Sequence, residues 1–135
     1  MQTSDIITDK ITYTQEEAIS ASLKYFNGDD LAARVWLNKY ALKDSIGNIF
    51  EKTPDDMHRR IASEIARIEL NYPNPMSEEM VYDLIKNFKY IIPQGSPMTG
   101  IGNPFQIASL SNCFVIGNDG ASDSYGGIMK IDEEQ

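Results

Sequence analysis

The sequence predicts a mainly α-helical domain over residues 13–89, followed over residues 90–135 by the first strands of an incomplete α/β fold. Three observations predict it. Up to residue 89, apolar residues recur at intervals of three and four behind residues suited to capping helices. From Tyr90 the pattern changes to short apolar runs separated by a glycine- and proline-rich stretch. The end of the chain, Asp123-Ser-Tyr-Gly-Gly-Ile-Met-Lys-Ile-Asp-Glu-Glu-Gln135, has the form of the opening turns of a helix that stops without a cap.

Residues 1–12 read as a flexible lead. Thr14-Gln-Glu-Glu17 has the form of a capping box, and Ile19, Leu23 and Phe26 follow on one helical face until Asn27-Gly28 ends the helix. Asp29 or Asp30 can cap the next helix, to which Leu31, Val35 and Trp36 bring apolar contacts. The turn residues of Lys43-Asp-Ser-Ile-Gly-Asn-Ile-Phe50 predict a tight turn or small hairpin. Thr53-Pro54 restarts a helix: proline suits its first position, Asp55 and Asp56 suit its positive end, and Met57, Ile61, Ile65 and Ile68 form its buried stripe. That helix is expected to end before Tyr72-Pro73, and Ser77 opens another in which Met80, Leu84 and Phe88 fall at intervals of four. Tyr90-Ile-Ile-Pro93 predicts a buried strand and Ile107 to Ile116 a second, with a loop of functional length between them. Two strands alone would leave edges and an apolar face uncovered, so residues 90–135 are expected to need more sheet than the chain contains.

Composition narrows the function classes. A chain of 135 residues, 41% hydrophobic and 24% charged, has the balance of one globular domain. No apolar run is long enough to cross a bilayer and the start lacks a signal peptide, so a cytoplasmic protein without a membrane partner is expected. A net charge of −8 leaves no basic stripe for nucleic acid phosphates. The basic residues, among them Arg59, Arg60, Arg67, Lys86 and Lys89, read as solvated helix faces. One cysteine permits no internal disulfide, and one histidine, His58, excludes a multi-histidine metal centre, so no metal site is expected.

On spacing alone the candidate site residues are individually weak. Cys113, on an apolar strand pattern, reads first as a small core residue. Gly95, Gly100 and Gly102 would let backbone amides approach a phosphate, but they match neither a dinucleotide fingerprint nor a Walker loop. Ser96-Pro97 offers a hydroxyl on a fixed backbone, and Asp123-Ser124 a carboxylate and hydroxyl that could equally be a helix cap.

Taken together, Tyr90 to Gly117, Asp123-Ser-Tyr-Gly-Gly-Ile128 and the helical stretch Tyr25 to Asp44 resemble the beginning of the ribonucleotide reductase catalytic subunit. This family of oxidoreductases converts ribonucleotides to deoxyribonucleotides for DNA synthesis. The resemblance covers roughly residues 12–135. It implies that residues 13–89 are the family's amino-terminal helical domain and that residues 90–135 begin its ten-stranded α/β barrel. It implies that Cys113 is one of the redox-active cysteine pair, that Ser96, Asn112 and Cys113 bind the substrate, and that Asp123, Ser124 and Tyr125 hold the allosteric effector nucleotide. The second cysteine of the pair and the cysteine that carries the thiyl radical are absent from this sequence, so turnover by the chain alone is not expected. No cofactor is expected on this chain; the full enzyme would draw its radical from adenosylcobalamin or a metal-containing subunit. The implied partners are the remaining carboxy-terminal part of the catalytic subunit, a nucleotide substrate and effector, a thioredoxin- or glutaredoxin-like reductant, and a second copy in a homodimer of the full enzyme. The alternatives are a non-catalytic helical binding or regulatory module derived from the reductase, and an inert gene fragment.

Overall fold

The computed structural model describes residues 11–113, which form two helical hairpins followed by a short helix and a folded-back loop. The first hairpin is α1 (Gln15–Tyr25) and α2 (Asp30–Lys39). Its start is set by the capping box read from the sequence: the Thr14 amide donates to Glu17 Oε2 at 2.8 Å and the Glu17 amide donates to Thr14 Oγ1 at 3.2 Å. The turn between the helices uses Asn27 and Gly28 at φ of 53° and 92°, and the Gly28 amide returns to Leu23 O at 2.9 Å. Asp29, rather than Asp30, caps α2 through the Ala32 amide at 2.9 Å, while Asp30 pairs with Arg34 one turn on.

The buried face of this hairpin differs from the predicted one. Ala18 and Ser22 of α1 and Ala33, Trp36 and Leu37 of α2 are enclosed, whereas Leu31 is 74% exposed. Small residues, Ala18 and Ser22, line the enclosed face of α1, and Ile19 and Phe26 pack at the margin. The Ser22 hydroxyl is satisfied by Lys52 O at 2.8 Å.

Between the hairpins the expected turn forms. Asp44 Oδ1 accepts from the amides of Ile46 and Asn48, Gly47 adopts a φ of 91°, and Lys43 and Tyr13 each bridge to Ile49. The second hairpin is α3 (Pro54–Glu69) and α4 (Glu78–Ile85). Asp56 Oδ2 accepts from the amides of Lys52 and Thr53 at the start of α3, and Ser77 Oγ accepts the Met80 amide at the start of α4. On α3 the predicted stripe fades along the helix: Met57 and Ile61 are enclosed, Ile65 is half-buried and Ile68 is 42% exposed. On α4 the stripe lies one residue away from the prediction. Val81 and Ile85 face the core, Met80 and Leu84 face outward, and both series have the same spacing, so packing against α3 makes the choice.

After α4 a 3₁₀ turn, Lys86–Phe88, reverses the chain through Asn87 and Phe88, each at a φ of 54°. That conformation is strained for a bulky residue. It swings the Phe88 ring edge-on against the fully buried His58, centroids 4.6 Å apart. Neither ring nitrogen of His58 has a hydrogen-bond partner among the described residues. Burial pushes its pKa below the usual value of 6.5, against a smaller opposing pull from Asp55. The unfolded chain therefore takes up a proton near pH 6.5 before the folded one does, so stability is intact above that pH and is lost on acidification. Urea unfolding at stepped pH is expected to lose up to ~1.4 kcal/mol per pH unit below pH 6.5, and His58→Phe to remove most of that slope.

The strand predicted at Tyr90–Pro93 is not formed. A strand needs a neighbour for its backbone groups, and among the described residues there are isolated bridges but no strand. Instead Tyr90, Ile91 and Ile92 run past the end of α4, largely exposed, with the Ile91 amide bonded to Leu84 O at 3.0 Å. The expected loop contains a helix, α5 (Gly95–Gly100). Residues 107–113 also lack strand structure, with Ile107 and Leu110 exposed; the remainder of the second predicted strand lies outside the described residues. No helix among the described residues is long and apolar enough to cross a membrane.

Candidate functional site

The residues after α4 are short, glycine-rich and largely exposed, so their conformation has to be imposed by the helical domain. It is imposed through a buried ion pair. Arg60 on α3 and Glu51 just before it meet at 2.6 Å, with side chains only 9% and 4% exposed. The other Glu51 oxygen accepts the Leu42 amide at 2.9 Å, which ties the pair to the end of the first hairpin. The rest of the Arg60 guanidinium turns to α5: Nη2 donates to Met98 O at 2.8 Å and Nη1 to Ile101 O. One planar cation therefore neutralises a carboxylate and satisfies two carbonyls at the end of α5. The solvated face expected for Arg60 is therefore not found: its side chain is enclosed and paired with Glu51. Arg67 and Lys86 do lie on such faces, paired with Glu64 and Asp83, and Arg59 stacks on Tyr82 at 3.4 Å while pairing with Glu79.

Packing and backbone conformation explain Gly102 in this stretch. A Cβ on Gly102 would lie 3.0 Å from Arg60 Cγ and 3.2 Å from Arg60 O, and Gly102 has a φ of 69°. A Cβ on Gly100 would meet Leu110 at 2.8 Å. Gly102→Ala is expected to cost about 1–3 kcal/mol in thermal unfolding, because both the backbone angle and the contact with the α3 backbone oppose it. Gly28→Ala, with open space around it, is expected to cost less, from the angle alone.

Held in this way, α5 presents Ser96 to the returning chain. The Ser96 amide donates to Asn112 Oδ1 at 2.9 Å, and Asn112 Nδ2 donates to Gln94 Oε1 at 2.6 Å. These bonds fix the Asn112 amide and close a loop between residues 16 positions apart. Tyr40, at the end of α2, lies beside Gly95 at the base of the loop, and Phe105 stacks on Phe50 with centroids 4.8 Å apart. Cys113 follows Asn112 directly and is exposed, not the core residue that its strand pattern suggests. Thus Ser96 and Asn112 are brought together, with Cys113 adjacent in the chain. His58, buried in the helical core with both nitrogens unpartnered among the described residues, forms no dyad with that thiol. Asp123, Ser124 and Tyr125 lie outside the described residues. Among the described residues no three His, Cys, Asp or Glu side chains come together as metal ligands.

Two helical hairpins, a short helix held against α3 by Arg60, and a loop folded back onto that helix make up the described helical domain. A family model described as ribonucleotide reductase, all-alpha domain, matches residues 26–100, 75 of the 135 residues. The chain belongs to that family. The match runs from the end of α1 through α5, so it includes Ser96 and Arg60 and stops before Asn112 and Cys113. No curated protein and no solved structure matched the chain.

Proposed function

We propose that this chain supplies the amino-terminal part of a ribonucleotide reductase catalytic subunit and contributes Cys113 as one of its two reducing thiols. The observation that carries the reading is the bond between Ser96 and Asn112, which joins two candidate substrate contacts, the second of them directly followed in the chain by the exposed Cys113, in a chain of the reductase family. In the proposed step Cys113 and a second cysteine from outside this chain give up two electrons and two protons. The ribose 2′-carbon to oxygen bond breaks, water leaves, a C–H bond takes its place and the two thiols become a disulfide. Ser96 and Asn112 hold the ribose and phosphate groups while this happens. The described Ser96 contact runs through its amide, which leaves the hydroxyl for the substrate. Initiation by a thiyl radical belongs to residues and a radical source outside this chain, and Asp123, Ser124 and Tyr125 are the proposed effector contacts.

Reconstitution tests this. The chain is combined with a chain carrying the rest of the barrel, its remaining cysteines and its radical source, and deoxyribonucleotide formation is measured. Activity that depends on both chains and falls to background with Cys113→Ser is the expected result. Failure of the two to associate, or full activity in the Cys113→Ser assembly, would overturn the proposal.

A further inference from the structure

We infer that Arg60, braced by Glu51, is a positioning residue for the Ser96 site: it holds α5 in the one placement from which Ser96 meets Asn112. The inference rests on the substrate-site reading given above and extends it into the helical domain. The helix α5 has only six residues and no side-chain cap at its start, too short to be stable by its own hydrogen bonds. Its last carbonyls lack helical partners and must be satisfied from elsewhere. Arg60 supplies that partner through two nitrogens, to Met98 O and Ile101 O, while its Nε is held by Glu51. Glu51 is in turn fixed by the Leu42 amide. The line of contacts from the first hairpin to Ser96 therefore runs Leu42, Glu51, Arg60, α5, Ser96, Asn112. Gly102 is bare because its backbone passes against the Arg60 stem, so the close approach and the clamp belong to one arrangement.

The geometry requires a planar fork. Lysine at this position would keep the charge but could not reach a carboxylate and two carbonyls at fixed angles together. The pair also lines an open cleft of about 420 Å³, bounded by Leu42, Phe50 and Gly102, which gives a small cation a route to the Arg60 position.

The test uses the whole chain in solution, with two readouts by nuclear magnetic resonance. The first is amide hydrogen exchange at Ser96, Met98 and Ile101, with Trp36 and Leu37 as internal references. Arg60→Lys, which keeps a cation beside Glu51, is expected to speed exchange at the α5 positions about tenfold and to leave the references unchanged, and Arg60→Ala to speed exchange at the α5 positions about tenfold beyond the general increase that the references report. Millimolar guanidinium is expected to restore protection in Arg60→Ala and to do nothing for Glu51→Ala, in which the missing group is the anion. Restoration by a free cation is a result that general destabilisation would not produce. The second readout is the shift of the Ser96 and Asn112 signals on adding cytidine diphosphate, expected in the native chain, weaker by several-fold in Arg60→Ala, and recovered with guanidinium. Unchanged exchange at Ser96 in both Arg60 variants would overturn the clamp whether or not the nucleotide binds. Absence of a nucleotide shift in the native chain would overturn the substrate-site reading, and with it the positioning role, even with the clamp intact. If Arg60→Ala loses the reference signals and so does not fold, Arg60→Lys decides the exchange test.

Discussion

Glu51→Ala is expected to lower the stability of the helical domain by about 3–5 kcal/mol, the largest effect of any single polar substitution in the described residues. The substitution leaves the Arg60 guanidinium enclosed without its counter-charge and strips the buried Leu42 amide of its acceptor. Both groups are nearly enclosed, so the cost is the loss of their partner at a largely desolvated position. Glu51→Gln separates the contributions, since its carbonyl can still accept from Leu42 while the charge is lost, and it is expected to fall between the two. The exposed pair of Arg67 with Glu64 provides the contrast: Arg67→Ala is expected to change stability by less than about 1 kcal/mol. Urea unfolding followed by the fluorescence of Trp36, the only tryptophan and nearly fully buried, measures all three. A loss for Glu51→Ala no larger than that for Arg67→Ala would mean that the ion pair does not join the hairpins.

The second large effect is in the apolar core. Ile61→Ala is expected to cost about 2–5 kcal/mol, because Ile61 is 1% exposed in the cluster that also contains Met57, Val81 and Ile85, and its removal leaves a cavity where α3 packs on α4. Ile68→Ala, two turns further along the same predicted stripe, is expected to cost under about 1 kcal/mol, because that side chain is already 42% exposed. The same unfolding measurement compares them. Equal losses would indicate that α3 is buried along its whole length and that its outer half faces a further layer of structure.

The helices were legible in the sequence because their signals are local. Thr14 with Glu17, Asp29, Pro54 with Asp56, and Ser77 act within one turn of themselves, and each starts a helix where its residue type predicts. Which apolar series faces inward was less legible. On α4 both Met80/Leu84 and Val81/Ile85 have helical spacing, and only the partner helix distinguishes them. The strand predicted at Tyr90–Pro93 failed for the converse reason: its composition suits a strand, but a strand is completed by a neighbour that no local pattern supplies.

The site divides in the same way. Ser96, Asn112 and Cys113 could be named from the likeness of the surrounding block to a known family, and the structure joins the first two by a bond. Arg60 could not be named, because its partners are Glu51, nine residues earlier, and carbonyls about forty residues later, a pairing without a fixed spacing. The available hint was Gly102, whose spacing with Gly95 and Gly100 matches no phosphate-binding pattern and whose bareness admits the Arg60 stem.

The most direct test of the central claim is the fate of Cys113 in a single turnover of the reconstituted assembly, with all thiols reduced beforehand and no external reductant present. The proposal predicts that Cys113 is recovered in a disulfide with a cysteine of the complementary chain, one for each deoxyribonucleotide formed. Deoxyribonucleotide formed while Cys113 remains a free thiol would contradict it.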